Sequence, residues 1–195
     1  MKKTLIFFAI LLMARASFAQ TESRTNNQNA FNFLGGLGVS HEHALSQNNT
    51  LYLKASLVTT IGLSNASSGA FNAGINVGIN AIGQYRHYYN FQKRLDKGLT
   101  INNNSGSYWA LHAETVQGTL LYISPTTPAR NTFCAGPVWG VQFSKSRLLG
   151  NVNLGAVGFY SDKTGTFTGE FNWPVQPIFR FSLGILLGKK DAVSK

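Results

Sequence analysis

The sequence predicts an all-β fold: an up-and-down antiparallel β-barrel of about eight strands behind a cleaved N-terminal signal peptide. Three observations predict it. Apolar and polar residues alternate in segment after segment, the mark of strands with one apolar face. Runs rich in Gly, Pro, Ser and Asn separate those segments. No apolar run after residue 20 reaches the ~20 residues that a membrane helix needs.

The N-terminus comes first. Lys2 and Lys3 form a short basic region, and Leu5 to Met13 (LIFFAILLM) an apolar core. Ser17 and Ala19 put small residues at the −3 and −1 positions of a cut before Gln20. Arg15 interrupts the apolar run, so cleavage is expected rather than anchoring, and no Cys follows to accept a lipid. The organisation read from this is a signal peptide at 1–19, a polar flexible segment at 20–30, one barrel domain at 31–188 and a tail at 189–195.

The strands follow in order. Phe31 to His41 alternates weakly. Leu51 to Leu63 places Leu51, Leu53, Ala55 and Leu57 on one face and Lys54, Ser56 and Thr60 on the other. Phe71 to Arg86 is the cleanest segment: Ile75, Val77 and Ile79 alternate with Asn76, Gly78 and Asn80. Tyr108 to Tyr122 is weaker. Phe133 to Phe143 sets Phe133, Trp139 and Val141 against Cys134, Gly140 and Gln142. Gly150 to Tyr160 is weaker again. Phe167, Phe171 and Trp173 alternate with Thr166, Thr168 and Asn172; Phe179, Phe181, Leu183 and Ile185 alternate with Arg180, Ser182 and Gly184. The one long connection runs from His87 to Ser107.

The polar face decides where such a barrel would reside. It carries mainly Gly, Asn, Ser, Thr and Gln rather than the Lys and Glu of a soluble surface. Small polar groups fit the cramped interior of an eight-stranded barrel, which side chains fill. The expectation is that Ile75, Val77, Ile79, Trp139, Phe181 and Ile185 face lipid. Asn76, Asn80, Gln142 and Arg180 then point inward, where Lys54, Arg86, Glu114 and Arg180 pair. Charged residues are only 12% of the chain, which suits a lipid-facing surface better than a watery one.

The charge is +10, from 17 basic and 7 acidic residues. Loss of Lys2, Lys3 and Arg15 with the signal leaves 14 basic and 7 acidic residues, or +7, which favours anionic partners. For an exported protein these are membrane lipids, lipopolysaccharide or acidic glycans, and no nucleic acid. Cys134 is the single cysteine, so no internal disulfide can form, and it reads as an interior residue.

The signal peptide, the alternating strands and the mix of long and short connections across residues 31–188 resemble the small outer-membrane β-barrel proteins of Gram-negative bacteria. The run Tyr85-Arg-His-Tyr-Tyr-Asn-Phe-Gln-Lys-Arg-Leu-Asp-Lys-Gly98, followed by Asn102-Asn-Asn-Ser-Gly106, resembles a run in barrels of this kind. The resemblance implies an outer-membrane location and supplies no activity. One departure stands out: such barrels commonly close on a C-terminal aromatic, whereas this chain continues past Leu187 with Gly188-Lys-Lys-Asp-Ala-Val-Ser-Lys195.

Candidate chemistry is sparse. His41 and His43 share a strand face and could share a metal, but a site needs a third ligand. His112 and Glu114 also share a face and could act as base and orienting acid, or belong to an interior ion network. Ser64-Asn65-Ala66 resembles part of the active-site run of outer-membrane lipid A deacylases, in which a His lies two residues before the Ser. Here that position is Gly62, which leaves the Ser without a base. No catalytic, cofactor-binding or metal site is therefore expected.

The reading is a non-enzymatic outer-membrane barrel with a filled lumen and an envelope or surface interaction role. The alternatives are a soluble periplasmic barrel that binds a small apolar ligand, and a membrane-embedded lipid hydrolase. The expected contact with anionic headgroups is the long connection. Arg86, Lys93, Arg94 and Lys97 are interleaved there with Tyr88 and Tyr89, a mixture suited to the membrane–water boundary. Residues 88–97 are expected to form a short amphipathic helix closed by Gly98. With a periplasmic N-terminus and this connection following the third strand, it would be extracellular.

Overall fold

The structure is a computed structural model. It describes residues 24–65, 71–122, 131–162 and 175–188, with side chains described in 24–59, 77–117, 131–160 and 175–188. The expected signal peptide, the expected strand at 167–173, the tail at 189–195 and the facing of Ile75 and Asn76 lie outside the described residues or side chains.

Eight strands close one antiparallel barrel in chain order. They are β1 (Gln28–Leu34), β2 (Leu37–Ala44), β3 (Asn49–Asn65), β4 (Phe71–Tyr88), β5 (Gly106–Tyr122), β6 (Asn131–Lys145), β7 (Leu148–Asp162) and β8 (Val175–Leu187). β8 returns to β1 through Ala30↔Leu186 and Asn32↔Gly184, so no strand edge is left open. The longest ladder joins β3 to β4 without a break from Asn49↔His87 to Asn65↔Phe71. That ladder matches the two segments in which the alternation is cleanest.

The alternation becomes an inside and an outside. Ile79, Trp109, Leu111 and Phe179 are exposed on the outer face, while Lys54, Asn80, Gln84 and Gln142 are buried within. Inward residues are even-numbered on β1–β6 and β8, and odd-numbered on β7. The switch comes from the tight turn at Ser146-Arg147, which pairs Lys145 with Leu148. Two residues between the last paired positions exchange the parity that faces the lumen, whereas the five between Asn32 and Gly38 and the five between Ala44 and Thr50 keep it.

Two expectations are corrected at the start of the barrel. The segment Phe31–His41 is a hairpin, not one strand: Asn32 pairs with Gly38, and the chain reverses at Gly35 and Gly36. Both take positive φ, 74° and 105°, a conformation that residues with a Cβ adopt only at a cost. Nor does the barrel wait for Phe31. Gln28 already pairs with Glu42, Thr25 is buried, and the Thr25 hydroxyl donates to the Ser46 carbonyl at 2.5 Å.

Splitting that first segment shifts every later connection to the other end. The links at 45–48, 89–105 and 146–147 lie at the same end as the beginning of β1 and the end of β8; the link at 35–36 lies at the opposite end, with the ends of β3, β5 and β7 and the beginnings of β4, β6 and β8. The long connection follows the fourth strand, not the third. It therefore sits with the termini, and the ground for placing it outside the cell is gone.

Candidate functional site: the polar lumen and the cap over its mouth

The lumen is built around Arg86 on β4. Its side chain is fully buried. The guanidinium lies 3.7 Å above the Tyr52 ring centroid and 4.5 Å from that of Tyr108, a sandwich that suits a planar cation. Nε donates to Gln84 Oε1 at 2.8 Å, and Nη1 donates to Gln142 Oε1 at 2.9 Å. Nη1 also stands 3.6 Å from Glu42 Oε1, both side chains being buried. Glu42 in turn accepts from the Thr50 hydroxyl (2.6 Å), the Tyr88 hydroxyl (2.8 Å), Gln142 Nε2 (3.0 Å) and Gln28 Nε2 (2.5 Å). Donors from four strands thus saturate one carboxylate. A buried ion pair needs such bonds to offset its desolvation.

A second cluster lies deeper. Glu114 on β5 accepts from Asn80 Nδ2 at 2.7 Å and from Arg180 at 3.0 and 3.1 Å. His112 Nε2 is 3.2 Å away, and Cys134 Sγ 3.9 Å. The tautomer follows from the bonding. An Arg has no acceptor, so the Gln84 atom facing Arg86 is Oε1. Gln84 Nε2 then faces His112 Nδ1 at 2.8 Å, which makes Nδ1 the bare nitrogen. His112 Nε2 keeps the proton and donates to Glu114.

This assignment decides what the cluster can do. The donor atoms of His112, Glu114 and Cys134 lie within 4.8 Å of one another, the spacing of a metal site. However, Nε2 carries a proton, and a guanidinium already occupies the carboxylate. His112 is fully buried with both ring nitrogens committed, so as a general base it has no free nitrogen to offer a substrate. The cluster is an interior network of the kind expected for Glu114 and Arg180. Lys54 does not join it: its Nζ donates to the Gly35 carbonyl at 2.6 Å. Sequence reasoning did not connect Cys134 to this cluster. The only signal is register: Glu114 pairs with Cys134, and His112 with Gly136.

The other candidates scatter. His41 and His43 are exposed on the outer face with ring centroids 6.1 Å apart, and His41 Nδ1 meets Asn29 Oδ1 at 2.7 Å. Glu42 between them points the opposite way, into the lumen. The Ser64 side chain lies outside the described residues.

The long connection caps the mouth at the terminal end. As expected, it contains a short helix, α1 (Phe91–Asp96). Gly98 closes it with φ of 67°: Gly98 N donates to the Leu95 carbonyl and Leu99 N to the Arg94 carbonyl, the paired bonds of a glycine C-cap. Phe91 is buried and stacks on Tyr88 with centroids 4.6 Å apart. Asn104, also buried, accepts from the Asn26 backbone N at 2.7 Å and donates to the Asn26 carbonyl at 2.9 Å. One side-chain amide so imitates a strand partner and ties down the N-terminal segment.

The six predicted headgroup contacts therefore part company. Arg86 and Tyr88 are inside the lumen and fully buried, so neither can touch a headgroup. Arg94 is half-buried, and its guanidinium donates to the Thr100 carbonyl at 3.0 and 3.1 Å. Lys93 and Lys97 are exposed. Tyr89 is exposed on the outer face, its hydroxyl accepting from Trp139 Nε1 at 2.8 Å. Alternation already carried the Arg86 answer: an even position on that strand points inward.

Comparison of the chain with protein-family models, with curated proteins and with solved structures returns no match.

Proposed function

We propose that this chain is a non-enzymatic outer-membrane β-barrel with a filled lumen, serving an interaction role in a bacterial envelope. One observation carries the reading: the barrel is inside out relative to a water-soluble one. Its buried side includes Glu42, Arg86, His112 and Glu114, while its outer side exposes Leu111, Leu154, Phe179 and Ile185. Among the described side chains, the outward strand positions carry no Lys, Arg, Asp or Glu except Lys145 at the end of β6. Water penalises such a surface and lipid favours it. Trp109, Trp139 and Tyr89 lie on the outer face towards the terminal end, where an aromatic girdle belongs. The signal peptide read at residues 1–19 supports export.

The alternative of an apolar ligand in a soluble barrel finds little support. The described lumen holds a cavity of about 20 Å³ bordered by Lys54, Gln84, Asn153 and Arg180 as well as Ile82 and Phe181, far below the few hundred Å³ of a ligand pocket. Catalysis finds equally little, since the lumen acids and the imidazole are bonded to one another.

Within this reading the cap lies on the side of the termini, the periplasmic side in barrels of this class. Lys93, Lys97 and Tyr89 then face phospholipid headgroups of the adjoining leaflet rather than lipopolysaccharide. Fractionation of cells that export the chain tests the proposal. The protein is expected in the outer-membrane fraction, released only by detergent. Recovery in the aqueous periplasmic extract would overturn it in favour of the soluble barrel.

A further inference from the structure

The two halves of the lumen differ in charge balance. Near the mouth, Glu42 answers Arg86. Deeper down, Lys54 and Arg180 face Glu114 alone, so the described lumen side chains hold three cations against two carboxylates. Glu114 is already shared: Oε2 takes His112 and Arg180, and Oε1 takes Asn80. Lys54 is 5% exposed, and among the described residues no carboxylate lies within ion-pair distance of it. One of its three N–H groups meets the Gly35 carbonyl. A buried ammonium in that state carries a large desolvation penalty.

Space and donors lie beside it. The lumen cavity, of about 20 Å³, is bordered by Lys54, Arg180, Asn153 and Ser182. That volume holds an occupant of about the size of one water molecule or a halide. The Tyr108 hydroxyl meets both Asn151 and Asn153. Its one proton goes to Asn151 Oδ1, because Asn151 Nδ2 already donates to Gln142, so Asn153 turns its amide nitrogen to the hydroxyl and keeps one N–H for another acceptor. The Arg180 side chain is 40% exposed, which gives a small ion a way in.

We propose that this cavity is a binding site for a small monovalent inorganic anion, chloride in the cell, held by Lys54 with Arg180 and Asn153. The anion balances the lumen charge and locks β3 to β7 and β8. The site is a property of the lumen and is independent of whether lipid or water surrounds the barrel.

The test is the unfolding midpoint of the full chain in detergent micelles at constant ionic strength, with sodium gluconate replaced stepwise by sodium chloride. A ligand that binds only the folded state stabilises it saturably, and for a chain of this size a rise of about 2–4 °C is expected. Lys54→Met should lose that rise. Bromide-soaked crystals of the wild type should show an anomalous peak within contact distance of Lys54 Nζ, and this arm decides the matter if Lys54→Met does not fold. Equal midpoints in gluconate and chloride, a full chloride response in Lys54→Met, or water alone in the cavity of the bromide-soaked crystal would each overturn the site.

Discussion

Ile79 and Asn80 are neighbours on β4, yet 43% of Ile79 is exposed and only 2% of Asn80. Ile79 stands on an outer face with no partner but its surroundings. Asn80 donates to Glu114 at 2.7 Å inside a wall of hydrogen bonds. One peptide bond separates two solvents. The outer face is specified loosely, by chemistry alone: Leu, Ile, Val and Phe there could trade places as long as they stay apolar. The inner face is specified pairwise, because most of its polar groups, such as Glu42, Gln84 and Gln142, depend on particular partners across the barrel. Errors inside should therefore cost more than errors outside, and errors outside should depend on the medium.

The largest effect is expected from Glu42→Gln, which leaves Arg86 buried without its counter-charge. Removing one partner of a buried pair costs ~3–5 kcal/mol, read as a drop in unfolding free energy by urea titration in vesicles or micelles. The double variant Glu42→Leu/Arg86→Met should cost less than the single one. A single substitution costing under ~1 kcal/mol would mean that the network is not the keystone its geometry indicates.

Ile79→Lys comes next and sharpens the question of the medium. In lipid, a cation near the middle of the outer face costs ~2–4 kcal/mol. On a water-facing barrel, an exposed lysine would stay within ~0.5 kcal/mol. Folding yield into vesicles and urea stability separate the two, and a neutral result would place water, not lipid, around β4.

Glu114→Gln should cost less than Glu42→Gln, about 1–3 kcal/mol. Its chief cation, Arg180, is 40% exposed and can turn to solvent, whereas Arg86 is fully buried. Equal costs at the two sites would show that exposure does not set the penalty.

The smallest effect on stability belongs to the cap. Lys93→Gln with Lys97→Gln should leave the unfolding free energy within ~0.5 kcal/mol and weaken association with anionic vesicles by about 1 kcal/mol per charge at low salt. High salt should erase the difference. Unchanged binding at low salt would remove α1 as the contact.

How much of this was legible in the residues depends on parity. The strands expected over Leu51–Leu63, Phe71–Arg86 and Phe133–Phe143 form as β3, β4 and β6, and the described side chains at 51–59, 77–86 and 133–143 keep the alternation because one face is apolar. The same alternation hid the first hairpin. Asn32 pairs with Gly38, and the numbers of paired residues sum to an even value. The odd face thus stays outward through the reversal, and the sequence reads like one uninterrupted strand. Only the Gly35-Gly36 pair marks the turn. The lumen was legible as a polar face but not as a set of partners. Gln142 reaches Glu42 across 100 residues, and nothing in the spacing of either residue announces the other. The burial of Arg86 was readable from its even position, which placed it among the inward charges; its basic, aromatic neighbourhood in sequence also drew it among the headgroup contacts, and only the inward reading holds.

The bond between Asn104 and Asn26 has a practical corollary for work on this protein in cells. It anchors the start of the described chain beside the mouth, at the end where β8 also finishes. An epitope fused immediately before Arg24 or immediately after Gly188 starts from the same rim. The two fusions should give one answer when intact cells are treated with a protease that does not cross the envelope: both cut or both spared. Under the outer-membrane proposal, an epitope inserted between β3 and β4 should give the opposite answer.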